Sequence, residues 1–360
     1  MRILIANPFG IGDVLFSLPL VDAIRSQDTN GFLGYLCNRR TAEMVAAWPQ
    51  LGWHQVFEFR STWRRSRRAG LQHFAEVVRS LRSRRFDILL DLSLGWHVAL
   101  ASRLAGIPKR VGFDFHHRSR FLTDPVPVQG FGSQHMVEYY LDLLPRIGLR
   151  RPDRGQLRLE LTTEQTKQAE EYLSARGVGP ADRLIGVVPG GGASWGKQAH
   201  LKQWPSDRFA RFIRQILSLH PSKIVLFGDD SESDLCRQVA AEVRSPCVQA
   251  IQLPSLLLLA ALLKRCDLVV GNDSGSMHLA CAVGARTVSI FGPVDPSVYG
   301  PLPSMGMKSS QRVAARALAC RPCYRNFRIP PCPWDQACLK GLPVEEVVRA
   351  ADELLIEKCS

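Results

Sequence analysis

A carboxylate, two hydroxyls and an imidazole fall within six residues in the run Asp273-Ser274-Gly275-Ser276-Met277-His278. Just before it, 266–270 reads as a short buried strand. After it come a small-residue helix, a second strand at 287–291 and a Gly292-Pro293 stop. The polar turn therefore lies where a strand hands over to a helix. Backbone N–H groups left unpaired at a helix start, with the helix dipole behind them, favour an anion. A unit built only to pack needs no such concentration of polar groups, so an enzyme that handles phosphate or nucleotide is expected. His278 taken alone reads equally as a structural hydrogen-bonder; the neighbouring hydroxyls and glycine point it toward phosphate.

Three more loops carry chemistry at strand ends. Asn7-Pro-Phe-Gly-Ile-Gly12-Asp13 follows the first strand, and its glycines let backbone approach a ligand closely. Asp13 opens a helix there, either as an N-cap or as a general base able to deprotonate a sugar hydroxyl. Pro189-Gly190-Gly191-Gly192, followed by Lys197 and by Lys202-Gln203-Trp204-Pro205, suits a polyphosphate, or is a flexible loop with surface lysines. It is not a P-loop, because no Ser or Thr follows Lys197, and no GxGxxG follows the first strand. Gly228-Asp-Asp-Ser-Glu232 offers either helix-capping acids or a carboxylate for ribose hydroxyls.

The elements that position these loops alternate. Strands are expected at 2–6, 32–37, 56–59, 86–92 and 110–112, with helices at 14–25, 42–48 and 71–81 between them. A polar stretch at 150–156 reads as a linker. The pattern then restarts with a helix at 163–176 capped by Thr162 or Thr163. Strands follow at 184–188, 223–227, 247–251, 267–270 and 287–291, with helices at 205–219, 233–243 and 254–264. This is the signature of βαβ units and parallel sheets. At 360 residues the chain is long for one core. The expected fold is α/β, with two Rossmann-like doubly wound domains facing across a cleft. We assign 1–155 to the first domain, 156–341 to the second, including a Cys-rich lobe at 318–341, and 342–360 to a C-terminal helix. Ligands of such domains bind beyond the carboxyl ends of the strands, here toward the cleft.

Composition narrows the setting. The longest apolar run, 256–263, is far short of the roughly 20 residues that span a bilayer. The N-terminus lacks the apolar core and cleavage site of a signal peptide, so a cytoplasmic protein with mostly reduced cysteines is expected. The net charge of +13 is uneven: residues 1–160 hold 23 Lys and Arg against 14 Asp and Glu, while 161–360 hold 23 against 19. The densest basic run spans 60–68, followed by Arg79, Arg82, Arg84 and Arg85. It is either a solvated basic face or a surface for an acidic lipid, glycan or nucleic acid.

Four of the ten cysteines, Cys320, Cys323, Cys332 and Cys338, fall within nineteen residues. This set offers four thiolates to zinc or iron, although the second pair is spaced too widely for a standard finger; the alternative is a lobe without metal. The other six read as small core residues.

In order and spacing these segments resemble the lipopolysaccharide heptosyltransferases of glycosyltransferase family nine. The likeness runs from Gly12-Asp13 through Pro189-Gly190-Gly191, Lys202-x-Trp204-Pro205, Gly228…Glu232 and Asp273…His278 to Phe291-Gly-Pro293 and the Cys lobe. It implies a GT-B fold, with the acceptor on the first domain and the nucleotide sugar on the second. It also implies inverting transfer from ADP-heptose to an anionic, lipid-linked inner-core oligosaccharide. By position, Asp13 matches the catalytic base, Lys202 the lysine near the diphosphate, and Glu232 the acid on the ribose. Asp273, Ser274, Gly275 and His278 match the donor loop, with Gly12, Gly190, Gly191 and Ser276 in supporting turns; Lys197 takes no role. No cofactor is required for catalysis, since Lys202 and helix N-termini can compensate the leaving diphosphate. Some members with a similar Cys lobe act on autotransporter proteins and hold iron there, so a protein acceptor is an alternative. The resemblance also places the chain at the cytoplasmic face of the inner membrane, held peripherally, with no nucleic-acid partner. Two further readings are a sugar-nucleotide epimerase of the same fold and a basic, metal-dependent nucleic-acid-binding protein. The loops at 10–13 and 273–278 argue against the first. The lack of aromatics interleaved with the basic run, beyond Trp63, argues against the second.

Overall fold

The computed structural model describes residues 1–117, 119–252, 255–302 and 310–357, apart from the side chains of Arg60, Ala193, Ser194 and Lys197. The chain forms two compact units, Met1–Gly155 and Gln156–Ser360.

In the first unit the strands are β1 Arg2–Ala6, β2 Phe32–Cys37, β3 Trp53–Val56, β4 Ile88–Asp91, β5 Lys109–Phe115 and β6 Asp124–Val128. In the second they are β7 Leu184–Val188, β8 Lys223–Gly228, β9 Val248–Gln252, β10 Leu268–Asn272, β11 Thr287–Ile290 and β12 Gln311–Ala314. Each set makes one parallel six-stranded sheet, in the orders β3-β2-β1-β4-β5-β6 and β12-β11-β10-β7-β8-β9. The two orders are the same Rossmann topology. Chain direction across the sheet reverses between β1 and β4 in one unit, and between β7 and β10 in the other. Loops diverge at such a switch point and leave a crevice at the strand carboxyl ends. The run at 7–13 follows β1, 189–192 follows β7 and 273–278 follows β10, so three of the four candidate loops flank a switch point.

The central strands are continuous apolar runs because helices cover both faces. β1 and β7 are almost wholly buried, and Ile185, Val187, Leu268 and Val270 share one core with Trp204, Phe209 and Phe212. Thr162 caps the helix Thr163–Ser174 in a capping box: its hydroxyl accepts from Gln165 N–H at 3.2 Å, and Gln165 Oε1 accepts from Thr162 N–H at 2.9 Å.

Several boundaries differ from expectation for identifiable reasons. The helix expected at 14–25 is two, Ile11–Phe16 and Leu18–Gln27, broken at Ser17. Pro19 has no N–H to continue the first helix, but it fits the first turn of the second. The helix expected at 71–81 runs Arg67–Arg84, because Ser66 accepts from Ala69 N–H and starts it early. The helix expected at 42–48 ends at Ala46. The edge strand expected at 56–59 is Trp53–Val56; Phe57 and Phe59 instead pack on Phe74. β6 was not foreseen because it carries Pro125 and Pro127, which only an edge strand tolerates. β12 is a four-residue edge strand with too little pattern to read. Pro254, expected to begin a helix, lies outside the described residues, as do the side chains of Arg60 and Lys197; the helix there is Leu256–Arg265.

Candidate functional site

In the second unit the site is built at the end of β10. Asn272, the last strand residue, is fully buried and ties the surrounding loops together. Its Oδ1 accepts from Trp204 N–H at 2.9 Å, and its Nδ2 donates to the Pro189 carbonyl at 2.7 Å. One amide thus fixes both the glycine loop after β7 and the segment that carries Lys202. Sequence reasoning passed over Asn272; its signal was an amide placed between a buried strand and the acidic turn. Trp204 explains its place two residues after Lys202. It is buried in the core, edge-on to Phe209, with Nε1 donating to the Leu342 carbonyl at 3.4 Å, and so anchors the backbone that presents the lysine.

Asp273 comes next. Its Oδ2 lies 2.9 Å from Lys202 Nζ, and its Oδ1 lies 3.6 Å from His278 Nε2. All three side chains are buried. Burial alone would raise the Asp273 carboxyl, but the Lys202 ammonium and the His278 contact outweigh it and hold the group below its ordinary value. An ammonium has three donors, and Asp273 takes one. The Lys202 nitrogen also lies 5.0 Å from the Trp195 ring centroid. Ser274 sits at the N-cap of the helix Gly275–Ala282 without capping it, and its Oγ is buried with no partner among the described residues. A buried hydroxyl without a partner costs free energy unless a ligand supplies one. Gly275 and Ser276 open that helix.

Glu232 reaches the same region from the end of β8. It occupies the N-cap position of the helix Ser233–Val243, yet its side chain does not cap. Its Oε1 instead accepts from Gly192 N–H at 2.9 Å. Burial raises this carboxyl, and nearby Asp229 adds to the shift. A Cβ at Gly190 would stand 2.0 Å from the Glu232 carboxyl carbon and would displace that side chain. Gly191 packs on the Ala199 carbonyl, and Gly192 adopts a φ of 73°. Lys202, Glu232, Asp273, Ser274 and His278 are therefore brought together, with the glycines packed against them.

In the first unit Gly10, not Asp13, takes the N-cap position, and Gly12 and Asp13 lie in the first turn of Ile11–Phe16. Asn7 is fully buried and donates to the Asp13 backbone carbonyl at 2.9 Å, while Asn38 donates to the Pro8 carbonyl at 3.2 Å. Asp13 is therefore not the N-cap residue of this helix.

Asp91, at the end of β4 on the same switch point, also escaped the sequence reading because it ends an apolar strand. It is 3% exposed, and its Oδ1 accepts from Ser93 N–H at 2.9 Å. Burial pushes its carboxyl up to about 6. The folded protein therefore binds this proton more tightly than the unfolded chain does, so stability falls as pH rises from about 4 through 6. Asp91→Asn keeps an acceptor for Ser93 and removes the charge. It should raise stability by roughly 2–3 kcal/mol at pH 8, as a shift of about two pKa units implies, and by little near pH 4.5. Urea titrations at the two pH values check this; an equal gain at both would contradict it.

The four cysteines of the lobe line one cavity of about 350 Å³, together with Leu201, Pro293 and Trp334. Among the described residues no three His, Cys, Asp or Glu side chains stand in ligating geometry. Of the other six cysteines, Cys37, Cys236, Cys266 and Cys281 are buried as expected, Cys247 is only half-buried, and Cys359 lies outside the described residues.

Comparison with known proteins gives the family. The sequence profile of glycosyltransferase family 9 (heptosyltransferase) matches residues 74–327. Lipopolysaccharide heptosyltransferase 2 of Escherichia coli K12 is 25% identical over 316 residues, covering 84% of this chain and 86% of the relative. The family 9 glycosyl transferase structure from Veillonella parvula has a TM-score of 0.82 at 23% identity, covering 99% of this chain and 98% of the other. The structure of E. coli ADP-heptose LPS heptosyltransferase II has a TM-score of 0.78 at 20% identity and covers 99% of both. The fold is that of these structures: α/β, GT-B, with two Rossmann-like domains. An epimerase or a nucleic-acid-binding protein is set aside by the family match, and the chain, a glycosyltransferase, belongs to glycosyltransferase family 9, the heptosyltransferase family.

Proposed function

We propose that this enzyme transfers heptose from ADP-heptose to an inner-core lipopolysaccharide acceptor with inversion at the anomeric carbon. The observation that carries the donor side is the buried Lys202–Asp273–His278 set beside the partnerless Ser274 hydroxyl. The names borne by the relatives support ADP-heptose and a lipopolysaccharide acceptor.

Asp13 takes the proton from an acceptor hydroxyl as that oxygen attacks the anomeric carbon. The bond from that carbon to the diphosphate oxygen breaks on the opposite face, and ADP leaves with its electron pair. Lys202 shares its remaining two N–H donors with the diphosphate, and the Gly275 end of its helix adds backbone donors. Asp273 holds Lys202 and His278 in place, while Ser274 Oγ donates to a donor oxygen. Glu232 takes the ribose hydroxyls. Charge compensation comes from these groups, so the proposed transfer uses no cofactor. Calorimetry with ADP, GDP and UDP tests the donor site: ADP should bind most tightly. Tighter binding of GDP or UDP would overturn the assignment.

The same reading places the enzyme at the cytoplasmic face of the inner membrane, held peripherally. No helix among the described residues is long and apolar enough to cross a membrane. The helices Phe59–Arg65 and Arg67–Arg84 expose Trp63 and Leu71, at 37% and 59%, among exposed Arg64, Arg65, Arg67 and Arg68. Basic groups mixed with an interfacial aromatic suit an anionic lipid surface. Flotation with anionic vesicles should show binding at low salt that is lost at high salt. Absence of binding at either would contradict it.

A further inference from the structure

The helix Ile11–Phe16 that carries Asp13 has only six residues, too few to hold itself in water. The last carbonyls of a helix also lack partners within it. Ser17 N–H would continue this helix by donating to the Asp13 carbonyl, but it donates to the Val14 carbonyl instead, at 3.0 Å. Three buried side chains hold these carbonyls. Asn7 Nδ2 donates to the Asp13 carbonyl at 2.9 Å, while Asn7 Oδ1 accepts from Phe9 N–H at 3.3 Å. Ser17 Oγ donates to the Val14 carbonyl at 2.6 Å and lies 2.7 Å from the Tyr35 hydroxyl. A serine has one hydroxyl proton, and this one goes to Val14, so Tyr35 is the donor in the second contact.

We propose that Tyr35, acting through Ser17, and Asn7 are positioning residues that fix the consecutive carbonyls of Asp13 and Val14 and so aim the Asp13 carboxylate at the acceptor hydroxyl. Asn7, Ser17 and Tyr35 are fully buried, too deep to touch substrate themselves. Burying three polar side chains is costly unless each is bonded, and what these three hold is the backbone of the base. Tyr35 is itself rigid: it stands on β2, with its ring edge-on to Trp48 at 5.3 Å. Burial pushes its hydroxyl upward, and Cys37 and Asp13 add to the shift, so it stays protonated and keeps donating. A general base works only within hydrogen-bond reach of the proton it takes. The side chain of a one-turn helix follows its backbone, so loosening these two carbonyls takes Asp13 out of line.

This inference rests on Asp13 as the base, and a double-mutant cycle on transfer kinetics separates the two. Tyr35→Phe removes one hydroxyl and keeps the ring. It should lower kcat about tenfold, in keeping with a base displaced by less than about 1 Å, and leave KM for the nucleotide sugar and ADP affinity unchanged. In an Asp13→Asn background it should slow transfer no further, because no base is left to aim. Ser17→Ala removes the link to Val14 and should give the same pattern, so a failure of either variant to fold does not decide the matter. A merely structural role would slow both backgrounds alike. If Asp13→Asn is slow, unchanged kcat in Tyr35→Phe and Ser17→Ala, or equal slowing in the two backgrounds, overturns the positioning role and leaves the base in place. Turnover near that of the unaltered enzyme in Asp13→Asn overturns the base reading, and the positioning role with it.

Discussion

Asp13→Asn should lower turnover by about 10²–10⁴-fold, the range for losing general-base help, while ADP binding survives. An amide cannot accept the acceptor's proton, but it matches the carboxylate in size. The Asn7 hydrogen bond goes to the Asp13 backbone carbonyl and is untouched by the change. Gly10, not Asp13, holds the N-cap position. The donor residues lie in the other unit, so ADP binding should not depend on the change. Turnover near that of the unaltered enzyme would take the role of base away from Asp13.

Lys202→Ala should act on both stability and donor binding. Lys202 is 8% exposed, and its ammonium is the charged partner 2.9 Å from Asp273. Removing one member of a buried pair leaves an uncompensated charge and costs about 3–5 kcal/mol. The pH dependence carries a definite sign. Asp273 is held below its ordinary value in the folded protein, so the unfolded chain binds its proton more readily. The pair therefore contributes stability that is present above about pH 4 and lost as pH falls through the folded value. In the variant, burial is no longer offset by the ammonium, and the carboxyl should move upward. The stability gap between the two proteins should be widest at neutral pH and close toward acid. ADP affinity should fall in parallel. A variant with unchanged stability and unchanged ADP affinity would remove Lys202 from the site.

The alternation of short apolar strands with amphipathic helices was enough to read two doubly wound units, because the buried parallel strands β1, β7 and β10 are uninterrupted hydrophobic runs. What escaped was local. β6 hides behind two prolines, β12 is too short, and a single proline splits the first helix. The charged and glycine-rich members of the site were legible because polar residues at strand ends stand out against apolar runs. Asn272 and Asp91 were not, since each closes a buried strand, and Asn272 shows its role only through hydrogen bonds to segments distant in sequence. The pairing of Lys202 with Asp273 across 71 residues, a separation given by their numbers, has no sequence signal beyond charge. The reading of Asp230 to Glu232 as caps failed for Glu232 for a similar reason: its partner is a backbone N–H forty residues away.

The most direct test incubates the purified enzyme with ADP-heptose and an inner-core acceptor lacking its next heptose, and determines the product's anomeric configuration by NMR. The acceptor should gain one heptose with configuration inverted relative to the donor. Retention of configuration, or no transfer from ADP-heptose while another nucleotide sugar is turned over, would contradict the proposed reaction.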